Sequence, residues 1–442
     1  MSSGTRTTWA AVALAVWAAT AASALADGHP GDLDGQFGNS GRVMTRVVGG
    51  PSEIYGLVVD GSERLVAVGR AGGGSKRDLA VARYLPDGKL DQSFGDQGIV
   101  RRGFSGRQDW AADVTLLADG RILTVGPAFT SEGGSTLVLR QFLEDGTPDE
   151  TFGRHGQAAA AFNALQTLPT AVVVQPDDKI VVAGSILTAG EGSRFMVARF
   201  LADGRRDRTF GRNGVVRIEE GDAGIGDEAE AVALCPDGGI VAAGTIDGAL
   251  ALVRILPTGA LDSGFGSGGI ARSDIGSGND YAWDLKRQSD GKLVVAGSSW
   301  QPTTPRALLA RFLANGQPDD GFGSHGVALW GSGQGAGADG FTVALEGDGS
   351  ILLGGADYGI QPARFVLLRY TSTGVLDPGF GAGGIVITPF PAGSAVATSA
   401  AMTEVAAGSP SAASGDTSRV VLAGYAHNAR NKTRFALVRY LP

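Results

Sequence analysis

The chain has one cysteine in 442 residues, so no internal disulfide can form. That cysteine, Cys235, sits in "AVALCPDGG", an apolar strand pattern, and is expected to be buried and inert. Histidine is nearly as scarce, with four copies. There is no H-E-x-x-H, no G-x-S-x-G elbow and no zinc-ligand spacing, which leaves no metal site or cofactor to expect. "GAGADG" (335–340) fits G-x-G-x-x-G, but it precedes a strand pattern rather than a helix and so is not a dinucleotide loop. Basic charge is in deficit, 37 Lys and Arg against 45 Asp and Glu, for a formal charge of −8. Without an obvious basic cluster, neither nucleic acid nor an anionic membrane is an expected partner. Beyond the first 26 residues, no run is apolar enough to span a bilayer, so no membrane insertion is expected.

Those 26 residues, "MSSGTRTTWAAVALAVWAATAASALA", carry one positive charge, Arg6, then an apolar run, then small residues ending in Ala24-Leu25-Ala26. This is the layout of a secretory signal cleaved before Asp27. The expectation is an exported, soluble protein, periplasmic or extracellular. No cysteine near the cut suggests lipid anchoring.

Glycine, by contrast, is abundant: 71 residues, about double the usual share of roughly 7%. It is also periodic. Leu-Asp-x-x-Phe-Gly or a close variant recurs with its aspartate at Asp34, Asp91, Asp149, Asp207, Asp262, Asp319 and Asp377. The spacings are 57, 58, 58, 55, 57 and 58 residues. Each unit holds two turn signals between apolar runs. One precedes a strand, as in "PDGGIVAAG" (236–244), and one follows a strand, as in "FMVARFLADG" (195–204). Asp-Gly and Asn-Gly between apolar runs mark hairpins, because such turns need φ > 0. Four short antiparallel strands per unit make a propeller blade.

The ends complement each other. "GDLDGQFGNSGRV" (31–43) is a corner and a last strand without a blade before it, and "TRFALVRYLP" (433–442) is a third strand without a corner after it. Six full units and this composite give an all-β, seven-bladed propeller, one domain over 27–442. Residues 41–49 should pair with 433–441, leaving no unpaired inner edge. Residues 393–418, with "GSPSAASGD", read as a flexible insertion in the last unit.

The combined motif, "PDGKIVVAG…FALVRYLPDGxLDxxFGxxGxV" in outline, resembles the delta-60 repeat family of exported bacterial β-propeller-type tandem repeats. The likeness covers nearly all of 31–442. That family is defined by its repeat, so the resemblance implies the fold and assigns no catalytic residue. Asp178 departs from it by replacing a turn glycine.

The repeat aspartates are read as structural, ordering each corner through backbone N–H bonds while the Phe packs between blades. A recurring arginine, at positions 83, 199, 254, 311, 369 and 439, stands where it could clasp them, with Gln141 replacing it in the second unit. A ring of solvated charges is the alternative. His155 and His325 align with Ser40, Gln97, Asn213, Gly268 and Gly383 and read as turn residues tolerant of positive φ.

Asymmetry is greater than at the corners in the segments leading into the innermost strands: "DWAADV" (109–114), "DEAEAV" (227–232), "DYAWDL" (280–285) and "ADGFTV" (338–343). Asp109, Trp110, Asp113, Asp227, Glu228, Asp280, Tyr281 and Asp284 are therefore the candidate ligand-binding residues, expected at the channel mouth. The favoured reading is a monomeric propeller with a non-catalytic recognition or scaffolding role toward a protein, glycan or surface component. A propeller hydrolase or lyase with a carboxylate-lined site is the competing class.

Overall fold

The computed structural model describes residues 28–442 apart from 48–49, 74–75, 105–107, 220–225, 277, 302–303, 332–336, 360, 391–392 and 405–417. The proposed leader, 1–26, lies outside the described residues. The described residues form seven four-stranded sheets, all pairings antiparallel, each sheet in up-and-down order. Blades one to six are contiguous in sequence. Blade seven takes three strands from the C-terminal region and its outermost strand, Arg42–Thr45, from the N-terminal region. That strand pairs Arg42 with Val438 and Thr45 with Phe435, within the expected segments.

Seven apolar clusters fill the wedges between adjacent sheets, so the core is distributed around the ring rather than central. Small residues at inward strand positions let neighbouring sheets approach closely, and the corner phenylalanine closes each wedge. Phe37, Phe94, Phe152, Phe210, Phe265, Phe322 and Phe380 are all buried.

Every corner follows one scheme. The aspartate Oδ1 accepts the N–H two residues on, for all seven copies. Its Oδ2 meets the recurring arginine: Arg83–Asp91 at 2.8 Å, Arg199–Asp207 at 2.9 Å, Arg254–Asp262 at 3.1 Å, Arg311–Asp319 at 2.8 Å, Arg369–Asp377 at 3.6 Å and Arg439–Asp34 at 2.9 Å. Where Gln141 replaces the arginine, Arg121 reaches Asp149 at 2.9 Å from the turn before the neighbouring strand and also donates to Gln141. The clasp reading therefore holds over the solvated ring. Five of the arginines also lie over the corner phenylalanine, at 4.4 to 5.7 Å from the ring centroid.

The corner then reaches the next blade. The glycine N–H after each phenylalanine donates to a turn carbonyl of the following blade, from Gly38 to Asp87 at 2.7 Å through Gly323 to Thr373 at 2.8 Å. The seventh bond, Gly381 to Pro30 at 2.9 Å, closes the ring across the chain termini. Ser40, Gln97, His155, Asn213, His325, Gly268 and Gly383 all have φ between 51° and 68°, so the two histidines are turn residues. Asp178 holds its turn at φ 62° without glycine.

Two expectations need correction. Much of the supposed insertion is ordered sheet: Ala395–Glu404 is the innermost strand of blade seven, paired with Ser418–His427. Its run of small apolar residues is what a tightly packed inner strand requires; only 405–417 falls outside the described residues. Cys235 is half-buried rather than buried, because it stands at the turn after its strand, where its N–H donates to Gly239; burial still raises its thiol pKa.

Candidate functional site at the channel mouth

All seven innermost strands surround a cavity of ≈ 260 Å³. Period-two alternation fails on these strands at one point. In six blades the register shifts, with Tyr55, Thr170, Glu230, Trp283, Phe341 and Thr398 as the extra residue. Ala112 takes the equivalent place in blade two, and all seven line the cavity. A bulge leaves one residue out of the ladder and re-aims its side chain. Here it creates an inward ring whose members differ from blade to blade.

The bulge also decides the fate of the predicted residues. Asp109, Asp227 and Asp280 share a position with Ser52, Thr167, Ala338 and Ala395, and the blades bury all seven to 1% exposure or less. The three aspartates therefore turn away from the channel. Asp109 pairs with Arg140. Asp227 accepts from Asp247 N–H at 2.9 Å and faces Arg194 at 3.5 Å. Asp280 accepts from Ile275 N–H at 2.8 Å. Burial pushes Asp109 up to about 6 against the pull of Arg140, and burial also raises Asp227.

Asp113 and Asp284 do converge on the cavity. Both stand one residue after the bulge and staple neighbouring blades. Asp113 accepts from Val114 N–H at 2.7 Å and from Val172 N–H of blade three at 2.8 Å. Asp284 accepts from Leu285 N–H at 2.8 Å and from Val343 N–H of blade six at 3.0 Å, and Lys286 lies 2.9 Å from it. Burial pushes Asp113 up to about 6. Burial would lower Lys286, but Asp284 and then Asp113 outweigh it and leave the ammonium above its ordinary value. Glu230, on blade four, is held well above the usual carboxylate range by burial and by its neighbour Glu228.

Aromatic rings complete the wall. Tyr281 stacks on Trp283 at 5.6 Å and 17°, and Trp283 meets Phe341 at 5.7 Å and 55°. Trp283 Nε1 donates to Ser298 Oγ at 3.1 Å, which fixes the indole plane. Trp110 sits farther round, against Phe129 at 5.2 Å and under Arg70 at 5.8 Å. Arg70 pairs with Glu53 at 2.6 Å, and Glu53 accepts from Tyr55. Tyr55, Glu230, Trp283, Lys286 and Phe341 were missed in the sequence, because a bulge cannot be read from alternation. Their one legible signal was polar or aromatic residues inside otherwise small, apolar inner strands.

Among the described residues, no group of three or more His, Cys, Asp and Glu stands where it could hold a metal ion. No helix among them is long and apolar enough to cross a membrane.

Six stretches, 64–94, 117–152, 175–210, 235–265, 288–322 and 346–380, match the model of a family described as a domain of unknown function, DUF5122, beta-propeller. Every stretch ends on a corner phenylalanine. Those six stretches are similar to the repeats of that β-propeller family. Several solved structures are similar to this propeller. One is a protein of unknown function from Dyadobacter fermentans, at 12% identity over 90% of this chain and 97% of that one, TM-score 0.42. Another is Drosophila Plexin A, solved in complex with Semaphorin 1b, at 7% identity over 93% and 88%, TM-score 0.44. A third is the polysaccharide lyase Uly1, at 12% identity over 95% and 94%, TM-score 0.44. No curated protein matches the sequence. The assignment of the propeller rests on the chain's own seven sheets.

Proposed function

We propose that this is an exported, monomeric recognition propeller of delta-60 type that binds a protein, glycan or surface component at the mouth of its central channel. One observation carries the reading: the Asp, Phe and Gly contacts of the corners recur around the ring and are spent on structure, while the bulge ring varies from blade to blade and brings aromatic faces beside Glu230. A contiguous Tyr281–Trp283–Phe341 surface next to Glu228 and Glu230 suits a ligand with an apolar face and a polar or cationic edge. The test is a screen of the purified protein for binding to glycans and surface extracts, followed by Trp283→Ala with Phe341→Ala. The variant should keep its melting transition and lose at least about tenfold in affinity; full binding would refute the site. Export is checked by sequencing the N-terminus of secreted protein, which should begin at Asp27.

The raised pKa of Glu230 beside Glu228 supports a second reading, a carboxylate-based hydrolase or lyase. Polysaccharide cleavage abolished by Glu230→Gln, with ligand binding retained, would favour it over recognition alone.

A further inference from the structure

Blade three breaks the corner pattern. Its segment "RRDRTFGRNGVVR" (205–217) holds five arginines, where the corresponding segments of the other blades hold at most two basic residues. The absence of a basic cluster, expected from net charge, is thus overturned locally. Arg206 is the sharpest departure, since every other copy has Leu or Pro before the aspartate.

The structure turns this run into a groove on the rim. Arg206 lines two neighbouring cavities, of ≈ 590 Å³ and ≈ 770 Å³, that flank the blade-three corner and reach blades two and four. Arg212 and Arg217 line the first, and Arg154 of blade two joins Arg208 in the second. Arg206 rests over the buried Phe162 ring at 5.2 Å, and Arg217 donates to the Phe162 carbonyl at 2.6 Å, so both are positioned by packing. The equivalents of Arg217 are paired with carboxylates, Arg101 with Asp78 and Arg272 with Asp247. Among the described residues no carboxylate forms an ion pair with Arg154, Arg206, Arg208, Arg212 or Arg217. The groove's own acids are largely spent: Asp207 is held by Arg199 at 2.9 Å and Asp203 by Arg205 at 2.6 Å, leaving Glu219 at one end.

Like charges held together without partners raise the free energy of the empty surface, and an anion relieves it. Guanidinium forks suit carboxylates and sulfate esters. We propose that this groove binds an acidic oligosaccharide, one bearing uronate carboxylates or sulfate esters along its length. Exposed Asn163 and Asn213 line the first cavity and offer amides suited to sugar hydroxyls. Single-stranded nucleic acid is the less favoured polyanion. Phe162 and Phe200, the aromatics lining the groove, are buried at 4% and 1%, so no stacking platform is presented. The net charge of −8 would also repel a long polyphosphate elsewhere.

The test titrates the full chain with an oligogalacturonate, a sulfated uronate-containing oligosaccharide, a neutral glucan of equal length and a single-stranded oligodeoxynucleotide, at several salt concentrations. At least one acidic oligosaccharide should bind, with affinity falling as salt rises, and the neutral glucan should not. Which of the two binds tells carboxylate from sulfate recognition. Arg206→Leu installs the residue of other copies and should keep the fold while costing about tenfold in affinity. Arg154→Gln with Arg208→Gln, both exposed, should weaken binding and flatten its salt dependence. Trp283→Ala should leave this binding unchanged, which separates the groove from the channel mouth. Equal binding by the arginine variants, no binding of either acidic oligosaccharide, or tighter binding of the oligodeoxynucleotide would overturn the proposal.

Discussion

The two ends of each blade were built by the same repeat and have been used differently. At the corners, one set of contacts recurs seven times: aspartate to backbone, arginine to aspartate, glycine to the next blade's turn. On the inner strands, one backbone device, the bulge, recurs just as faithfully, but the residue placed on it varies, with six residue types in seven blades. Uniform side chains mark positions where geometry leaves little choice. Uniform backbone with free side chains marks a scaffold that presents chemistry.

The widest separation between these regions should appear in stability. Asp34 is held by both Arg439 at 2.9 Å and Arg419 at 2.8 Å, at the seam of the ring. Asp34→Ala should cost about 4 kcal/mol, because two nearly buried guanidinium groups lose their partner. Urea unfolding measures it, and a change below about 1 kcal/mol would show that the seam does not depend on the clasp.

At an interior corner, Asp207→Ala should cost about 3 kcal/mol. Arg121→Gln should cost less, since Arg121 is one-third exposed. Adding Gln141→Arg to that variant restores the usual clasp and should recover most of the loss. Failure of this rescue would mean that the second blade's arrangement is not equivalent to the others.

Channel substitutions should act through pH. Asp113 has a folded pKa of about 6, above its unfolded value, so protonation favours the folded state. Its contribution is complete below about pH 4 and is lost as pH rises through about 6. Asp113→Asn should therefore flatten the stability profile between those limits, read from melting temperatures across buffers. An unchanged slope would place the proton elsewhere, with Glu230 the next group to replace.

The smallest effect belongs to the turn histidines. His325→Gly should change stability by no more than about 0.5 kcal/mol, because glycine reaches the same φ of 51° freely. A loss of activity or binding in that variant would give the histidine a role beyond its turn.

The ring, its blade count and its closure were legible because they depend on turn residues with fixed backbone demands, which repeat in the sequence. The arginine clasp was half legible. Spacing put arginine and aspartate at one corner, but Arg121 standing in for the missing arginine could not be seen, since it comes from the turn between the blade's first two strands. The channel was least legible. Aligning Asp109, Asp227 and Asp280 was right, yet strand alternation does not say which face is inward, and three buried residues were expected at the mouth. The bulge sends Glu230, Trp283 and Phe341 there instead, residues that differ too much to align as a motif.

Gly31 N–H donates to the Leu441 carbonyl at 3.0 Å, and Leu441 N–H donates to the Asp32 carbonyl at 2.8 Å. These contacts set an order in time. The strand Arg42–Thr45 is made six blades ahead of its partner, Thr433–Tyr440. Until then the early strand has nowhere to go, and its four residues and opening arginine make it a poor template for pairing with other chains. The closing step must wait for the 405 residues that separate Asp34 from Arg439. Folding should therefore end in one slow, length-dependent event, with six blades assembled and the seventh held open.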